Sequence, residues 1–224
     1  MRAVISKLFI ATLLLVFLSS STREKPSILI IGDSISIGYT PFVKESLLEK
    51  ANVFHNPGNA QHTGTGVEKI EEWIGDVEWD IVQFNWGLWD LCYRHPDSKV
   101  QGNRDKVNGK LTYTVEEYTA NLDAIVSKLQ KLTDAKLIFL TTSYVPEHEA
   151  GRFAEDAIRY NEAAKKIMEK YAITVNDIYE RSIPIHQKYG KGTDDVHYRQ
   201  EGYEQLGELV TKFLQTELAT MKRK

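Results

Sequence analysis

Five short apolar segments, each separated from the next by a stretch long enough for a helix, constrain the fold of this 224-residue chain more than any other feature. The segments are Ser27–Ile31, Asn52–His55, Ile81–Asn85, Lys136–Thr141 and Ile173–Asn176. Short runs of apolar and β-branched residues are typical of buried strands, and strands that alternate with helices pair in parallel. We therefore expect an α/β protein: a flavodoxin-like three-layer α/β/α sandwich around a parallel sheet of about five strands.

Helical periodicity is clearest in three of the remaining stretches. Apolar residues recur at spacings of three and four between Val115 and Leu132, between Ala157 and Tyr171, and between Tyr203 and Leu218. This spacing places them on one face of an amphipathic helix that packs against the core. By contrast, Tyr93–Thr114 is polar, has little periodicity and predicts a long loop, and loops of that length usually carry function or are mobile.

The N-terminus has the features of a secretory signal peptide. Arg2 and Lys7 precede the apolar run Leu8–Leu18, and small polar residues follow it. The run is shorter than the roughly 20 residues that span a bilayer. We expect a signal peptide at 1–22, one domain at 23–224, export to the periplasm or the medium, and no stable membrane insertion after cleavage.

Composition excludes some partners and limits covalent stabilisation. The net charge is −3 and no basic stripe is apparent, so we expect no nucleic acid partner. The chain has one cysteine, Cys92, which has no second cysteine for an intrachain disulfide and is predicted to be buried and structural.

Two short motifs near opposite ends of the chain supply the parts of a nucleophilic site. Gly32-Asp33-Ser34 follows the first strand, and Asp194-Asp195-Val196-His197 lies about 160 residues later. A serine hydroxyl needs a base, and the base needs an acceptor on its other nitrogen. Asp194 is predicted to orient His197, with Asp195 as the alternative. The competing interpretation is that Ser34 only caps a helix and His197 is incidental.

These motifs resemble those of the SGNH, or GDSL-type, hydrolases, and the resemblance extends from Ser27 to the C-terminal helix. It implies that Ser34 is the nucleophile, with Asp194 and His197 in the last conserved block. It also implies that the second block falls in Asn56-Pro57-Gly58-Asn59, where the Gly58 N–H joins the N–H of Ser34 in an oxyanion hole. Without the flanking blocks, Pro57-Gly58 would indicate only a turn.

The third block departs from the family pattern. The family's Gly-x-Asn-Asp, whose asparagine donates to the oxyanion, aligns with Gly87-Leu88-Trp89-Asp90, so a tryptophan stands where the asparagine is usual. A branch of the family is similar to the stretch 84–91 but usually has histidine at this position. Asn85, at the end of the third strand, is predicted to complete the oxyanion hole. The indole N–H of Trp89 is the alternative donor.

The resemblance implies hydrolysis of an ester through an acyl-enzyme intermediate, with substrates in the family ranging over acetylated sugars, lipids and thioesters. Trp86 and Trp89 are predicted to bind substrate, because aromatic faces suit sugar rings and acyl chains; packing alone would also explain them. We expect a short-chain or carbohydrate O-acetyl esterase acting on a small-molecule or glycan ester. The alternatives are a lysophospholipase or thioesterase, and a non-catalytic glycan-binding protein.

Motifs for other chemistries are missing from the sequence. It contains no phosphate-binding Gly-x-x-x-x-Gly-Lys loop, no His-Glu-x-x-His helix and no Gly-x-Ser-x-Gly elbow. His55 and His62 are close in sequence, but their surroundings match no recognised pattern of metal ligands. We expect no metal site and no cofactor.

Overall fold

A computed structural model of the protein describes residues 25–221, so the predicted signal peptide at 1–22 lies outside the described residues. The strands are β1 (Ser27–Ile31), β2 (Asn52–His55), β3 (Ile81–Phe84), β4 (Tyr93–Arg94), β5 (Lys110–Leu111), β6 (Lys136–Leu140) and β7 (Thr174–Asn176). The helices are α1 (Ser34–Leu47), α2 (Thr63–Ile74), α3 (Val115–Leu132), α4 (Ala154–Lys170), α5 (Tyr179–Tyr189) and α6 (Gln200–Thr220).

The main sheet has five parallel strands in the order β2-β1-β3-β6-β7. Ile30 of β1 is in register with His55 of β2, and Ile31 with Phe84 of β3. The predicted five-stranded parallel sheet is confirmed, and this strand order is that of flavodoxin-like folds. Chain order reverses between β1 and β3, where such sheets open a crevice at their carboxyl ends.

The helices form two groups. Helix α6 packs against α1 and α5, while α3 packs against α2 and α4. The three predicted amphipathic helices are α3, α4 and α6, and each directs buried apolar side chains to the core, as Leu122, Ala164 and Val210 illustrate. The structure describes no helix that is long and apolar enough to cross a membrane.

Residues 93–114 are more ordered than the predicted loop. Strands β4 and β5 form a short antiparallel pair, and a 3₁₀ turn lies at Gln101–Asn103. Strands of two residues are too short to produce a recognisable alternation in the sequence. Cys92, which directly precedes this segment, is free and buried as predicted.

Candidate active site

The turn between β1 and α1 presents Ser34 at the carboxyl end of the sheet. Asp33 has an extended backbone, and its side chain accepts a hydrogen bond of 2.9 Å from the N–H of Ile35, which caps α1. Ser34 is therefore the first residue of the helix and not its cap. Gly32 permits the tight turn, because a Cβ there would lie 2.7 Å from Oγ of Ser36.

The structure brings Ser34 and His197 together although 163 positions separate them in the chain. Oγ of Ser34 lies 2.9 Å from Nε2 of His197. Nδ1 of the same ring lies 2.5 Å from Oδ1 of Asp195. An ionised carboxylate only accepts hydrogen bonds, so Nδ1 carries the proton and Nε2 is left with a lone pair facing the serine hydroxyl. This arrangement has the geometry of a nucleophile, a base and an orienting acid.

The structure places Asp195, not Asp194, against His197. The prediction that Asp194 orients His197 is therefore wrong, and the alternative residue, Asp195, has this position. Oδ1 of Asp195 also accepts the backbone N–H of His197 at 2.9 Å, which closes a tight turn and brings the carboxylate under the ring. Asp194 is exposed, and its carboxylate lies beside Gly192. Burial opposes ionisation of Asp195, but hydrogen bonds from the backbone N–H and the ring of His197 offset it, and the pKa of Asp195 is lowered.

Gly58 lies in an exposed turn after β2 that is fastened to the nucleophile turn. Its φ is +68°. Oδ1 of Asn56 accepts the Gly32 N–H at 2.9 Å, and Nδ2 of Asn56 is 3.3 Å from the carbonyl oxygen of Gly58. Within residues 25–221, no acceptor pairs with the N–H of either Ser34 or Gly58. Both main-chain donors are therefore available to a ligand.

A second contact between the two turns was not anticipated from the sequence. Oγ of Ser36 lies 2.7 Å from Nε2 of His55, and Nδ1 of His55 donates to the carbonyl oxygen of Asn56 at 2.8 Å. Ser36 thus connects α1 to the backbone that leads into Gly58. The sequence signal was weak, since Ser36 and His55 lie 19 positions apart.

Asn85, which was predicted to complete the oxyanion hole, bonds to the neighbouring strand through one of its two amide N–H groups. Its Nδ2 donates to the carbonyl oxygen of Leu140 at 2.8 Å, and its backbone N–H donates to Ile31. The side chain is buried and ties the end of β3 to the end of β6. The bond to Leu140 engages one of the two N–H groups of the Asn85 amide, so the role of Asn85 in the oxyanion hole stays a prediction.

Asp90, the last residue of the third block, is a structural carboxyl group. Oδ1 accepts two hydrogen bonds from Thr63, at 2.9 Å from the backbone N–H and 2.5 Å from the hydroxyl. These bonds fasten the third block to the first turn of α2. Burial raises the pKa of Asp90 to about 7, and burial likewise raises the pKa of Asp33. In the described part of the chain, no group of three His, Cys, Asp or Glu residues is arranged to hold a metal ion.

The two tryptophans predicted to bind substrate differ in accessibility. Trp86 is 1% exposed, packs against Trp73 and donates its indole N–H to the Ala60 carbonyl. It is a core residue, so its predicted contact with substrate is wrong. Trp89 is partly exposed, and the guanidinium of Arg94 lies 4.6 Å from its ring centre. The exposed part of the Trp89 ring is therefore accessible to a ligand.

Comparison with known proteins gives a consistent result. The sequence profile of the GDSL-like Lipase/Acylhydrolase family matches residues 30–205. No curated protein sequence is significantly similar to the chain. Among solved structures, a lipase/acylhydrolase from Enterococcus faecalis has a TM-score of 0.68 at 19% identity, over 88% of this chain and 100% of its own.

Two similar structures are acetyl xylan esterases. The enzyme AlAXEase has a TM-score of 0.66 at 16% identity, over 84% of this chain and 99% of its own. A catalytic mutant of Axe2 from Geobacillus stearothermophilus has a TM-score of 0.62 at 17% identity, over 90% of this chain and 98% of its own. At these identities the likeness is one of fold.

Proposed function

Because the chain belongs to the GDSL-like lipase/acylhydrolase family, we propose that it is a serine ester hydrolase in which Ser34 carries the acyl group between two steps. The single observation that carries the proposal is the contact of 2.9 Å between Oγ of Ser34 and Nε2 of His197, on a ring whose other nitrogen is held by Asp195. If Ser34 only capped a helix, its hydroxyl would not need a base such as His197 beside it.

The two steps follow from the positions of these groups. As Oγ of Ser34 attacks the ester carbonyl, Nε2 of His197 takes the hydroxyl proton and then gives it to the departing alkoxide, which leaves as the alcohol. Water next attacks the acyl group on Ser34 and loses a proton to Nε2 of His197. His197 returns this proton to Oγ of Ser34 as the bond between Oγ and the acyl carbon breaks, which releases the carboxylic acid and free Ser34. Asp195 keeps the ring oriented and stabilises its charged form throughout.

The oxyanion of each step is assigned to two main-chain donors, the N–H groups of Ser34 and Gly58. Both lack an acceptor among residues 25–221, and the hydrogen bond from Gly32 to Asn56 holds their turns together. The Ser34 N–H also lies in the first turn of α1, where the helix dipole favours negative charge. Donors already fixed in place need no reorganisation when charge develops, which is why they accelerate the reaction.

We propose a short acyl group, and most specifically an acetyl ester of a carbohydrate, as the substrate. Support comes from two acetyl xylan esterases among the proteins of similar structure and from the polar segment that follows Trp89, which suits a hydrated alcohol better than a lipid tail. The residues 1–22 have the pattern of a signal peptide, and we propose that the protein is exported, where glycan esters are accessible.

The test compares hydrolysis of p-nitrophenyl acetate, butyrate and octanoate by the wild type, Ser34→Ala and Ser127→Ala, the last a serine on α3 far from the site. Loss of the nucleophile should lower kcat by roughly 10⁴-fold or more, whereas Ser127→Ala should match the wild type. Preference for acetate supports a short-chain esterase. Rates that rise with acyl length would favour a lysophospholipase or thioesterase.

A fluorophosphonate probe separates an enzyme from a binding protein, because it labels a serine only when a base activates the hydroxyl. Labelling of the wild type that disappears in Ser34→Ala supports the proposal. Equal absence of labelling and of ester hydrolysis in both proteins would overturn it in favour of a non-catalytic glycan-binding protein.

A further inference from the structure

The segment 93–112 concentrates positive charge in a protein that is negative overall. It contains five basic residues against two acidic ones, a net charge of +3, whereas the whole chain has a net charge of −3. The basic residues are Arg94, Lys99, Arg104, Lys106 and Lys110. Charge of one sign gathered beside a cleft raises the local concentration of ligands of the opposite sign.

The basic segment is fixed beside the loop that carries the catalytic histidine. The backbone N–H of Tyr93 donates to Gly151 at 2.7 Å, so β4 is held against the turn between β6 and α4. The same turn bonds to the histidine loop, since the N–H of His148 donates to the carbonyl of Thr193 at 3.2 Å. Hydrogen bonds therefore connect the basic segment to the turn between β6 and α4, and that turn to the loop that carries His197, along one edge of the site.

Two arginines of this region share one carboxylate. Oε1 of the fully buried Glu149 contacts the guanidinium groups of both Arg104 and Arg152, the latter at 2.8 Å. Nε of Arg152 also donates to the carbonyl of Leu88 at 2.6 Å, which joins the group to the third block. Among residues 25–221, Glu149 is the one carboxylate within ion-pair distance of these two guanidinium groups, and the charges of Asp33 and Asp195 act on them from further away.

Arg94 adds a further positive charge at the partly exposed rim. Its guanidinium lies 4.6 Å from the ring centre of Trp89 and donates one hydrogen bond to the carbonyl of Gly102. In the described part of the chain, no carboxylate lies within ion-pair distance of it. Stacking holds the planar group in place and leaves its other N–H groups able to bind an oxyanion through two parallel hydrogen bonds.

We propose that Arg94 is the centre of a subsite for an anionic oxygen group, a carboxylate or a sulfonate or sulfate, that the ester substrate itself carries. This inference rests on the proposed esterase function and specifies its substrate class as acidic esters. Arg104 and Arg152, which both contact Glu149, contribute their electrostatic field to the subsite rather than direct contact with the ligand. Trp89 serves as the platform that orients the guanidinium, and not primarily as a sugar-stacking surface.

The kinetic test uses three aryl acetates that differ in charge: phenyl acetate, 4-acetoxybenzoate and 4-acetoxybenzenesulfonate. Selectivity is the ratio of kcat/KM for each anionic ester to that for phenyl acetate, and comparing variants cancels the intrinsic reactivity of each ester. Arg94→Gln should lower this selectivity about 10- to 100-fold, the range for a charge-assisted bidentate pair. Arg94→Lys should lower the selectivity less, because lysine keeps the positive charge and loses only the parallel N–H donors of the guanidinium.

Lys131→Gln, which removes a positive charge at the end of α3, is the matched control and should leave the selectivity at the wild-type value. Added salt should reduce the selectivity of the wild type more than that of Arg94→Gln, since screening weakens attraction between charges. The carboxylate and sulfonate arms show which anion the subsite accepts. An equal selectivity in the wild type and in Arg94→Gln would overturn the proposal.

A binding measurement separates this inference from the esterase proposal. Titration of Ser34→Ala with 4-acetoxybenzoate reports on the subsite without turnover. Weaker binding by the double variant Ser34→Ala/Arg94→Gln supports the subsite even if no ester is hydrolysed, in which case the esterase proposal fails alone. Equal affinity of the two proteins contradicts the subsite, whatever the wild type hydrolyses.

Discussion

Oδ1 of Asp195 lies 2.5 Å from Nδ1 of His197, while Asp194, one residue earlier, is exposed to solvent. Both carboxylates are close enough in sequence to reach the ring. The tight turn that closes when Asp195 accepts the backbone N–H of His197 selects between them. The carbonyl of Asp195 is also held by Nε2 of the buried His186 at 2.7 Å, so the turn is fixed from both sides.

The first prediction concerns the two aspartates. Asp195→Asn should lower kcat for p-nitrophenyl acetate by roughly 10³- to 10⁴-fold, because the amide cannot stabilise a positive imidazolium or enforce the Nδ1–H tautomer. Asp194→Asn removes the same charge one residue away and should stay within about twofold of the wild type. A large loss in Asp194→Asn with a small loss in Asp195→Asn would show that the carboxylates exchange places during turnover.

The second prediction uses two glycines with positive φ. Gly58 and Gly75 have φ of +68° and +54°, and a Cβ at either would meet no atom closer than 3.8 Å. Alanine should cost each protein on the order of 1–2 kcal/mol in the free energy of unfolding, from backbone strain alone. Only Gly58→Ala should also lower kcat, by displacing an oxyanion donor. Equal kcat in the two variants, measured beside urea unfolding, would remove Gly58 from the oxyanion hole.

The third prediction concerns Ser36, whose hydroxyl connects α1 to His55. Ser36→Ala should lower the free energy of unfolding by about 1–3 kcal/mol, because a buried hydrogen-bonding group loses its partner. It should lower kcat by about 10- to 100-fold with little change in KM, since the turn carrying Gly58 is no longer held in register with Ser34. Thr133→Ala, which removes a hydrogen bond to Ala135 at the far end of α3, should leave kcat unchanged.

The fourth prediction concerns stability and pH. Burial raises the pKa of Asp90 to about 7, whereas an unfolded chain leaves it near 3.8. Between these values the folded state holds a proton that the unfolded state releases, so the free energy of unfolding falls as pH rises from roughly 4 to 7. The loss amounts to at most about 4 kcal/mol.

Asp90→Asn cannot ionise, so it should lack this decline, whereas the surface variant Asp134→Asn should keep it. Urea unfolding at pH 5 and pH 8 measures the difference. A parallel change with pH in the wild type and in Asp90→Asn would mean that Asp90 stays ionised in the folded protein.

Much of the architecture was predictable because it depends on local patterns. The five core strands were each placed within one residue of their observed ends, and the faces of α3, α4 and α6 were correctly assigned, since burial leaves a periodic trace in the sequence. Helices α1, α2 and α5 were not specified, and neither was the short β4–β5 pair. Each of these elements is short or has weaker periodicity.

The sequence by itself determined which chemical groups this protein has and the order in which the chain presents them: a serine after the first strand, a glycine turn after the second, and a histidine near the end. Only the tertiary structure decided which of these groups are free to act. Asp195 displaced Asp194 because of one backbone hydrogen bond, and Trp86 entered the core. One N–H of the Asn85 amide bonds to the Leu140 carbonyl. Such choices depend on contacts between residues distant in sequence, because most buried polar groups pair with a partner elsewhere in the chain and no local pattern records which partner it is.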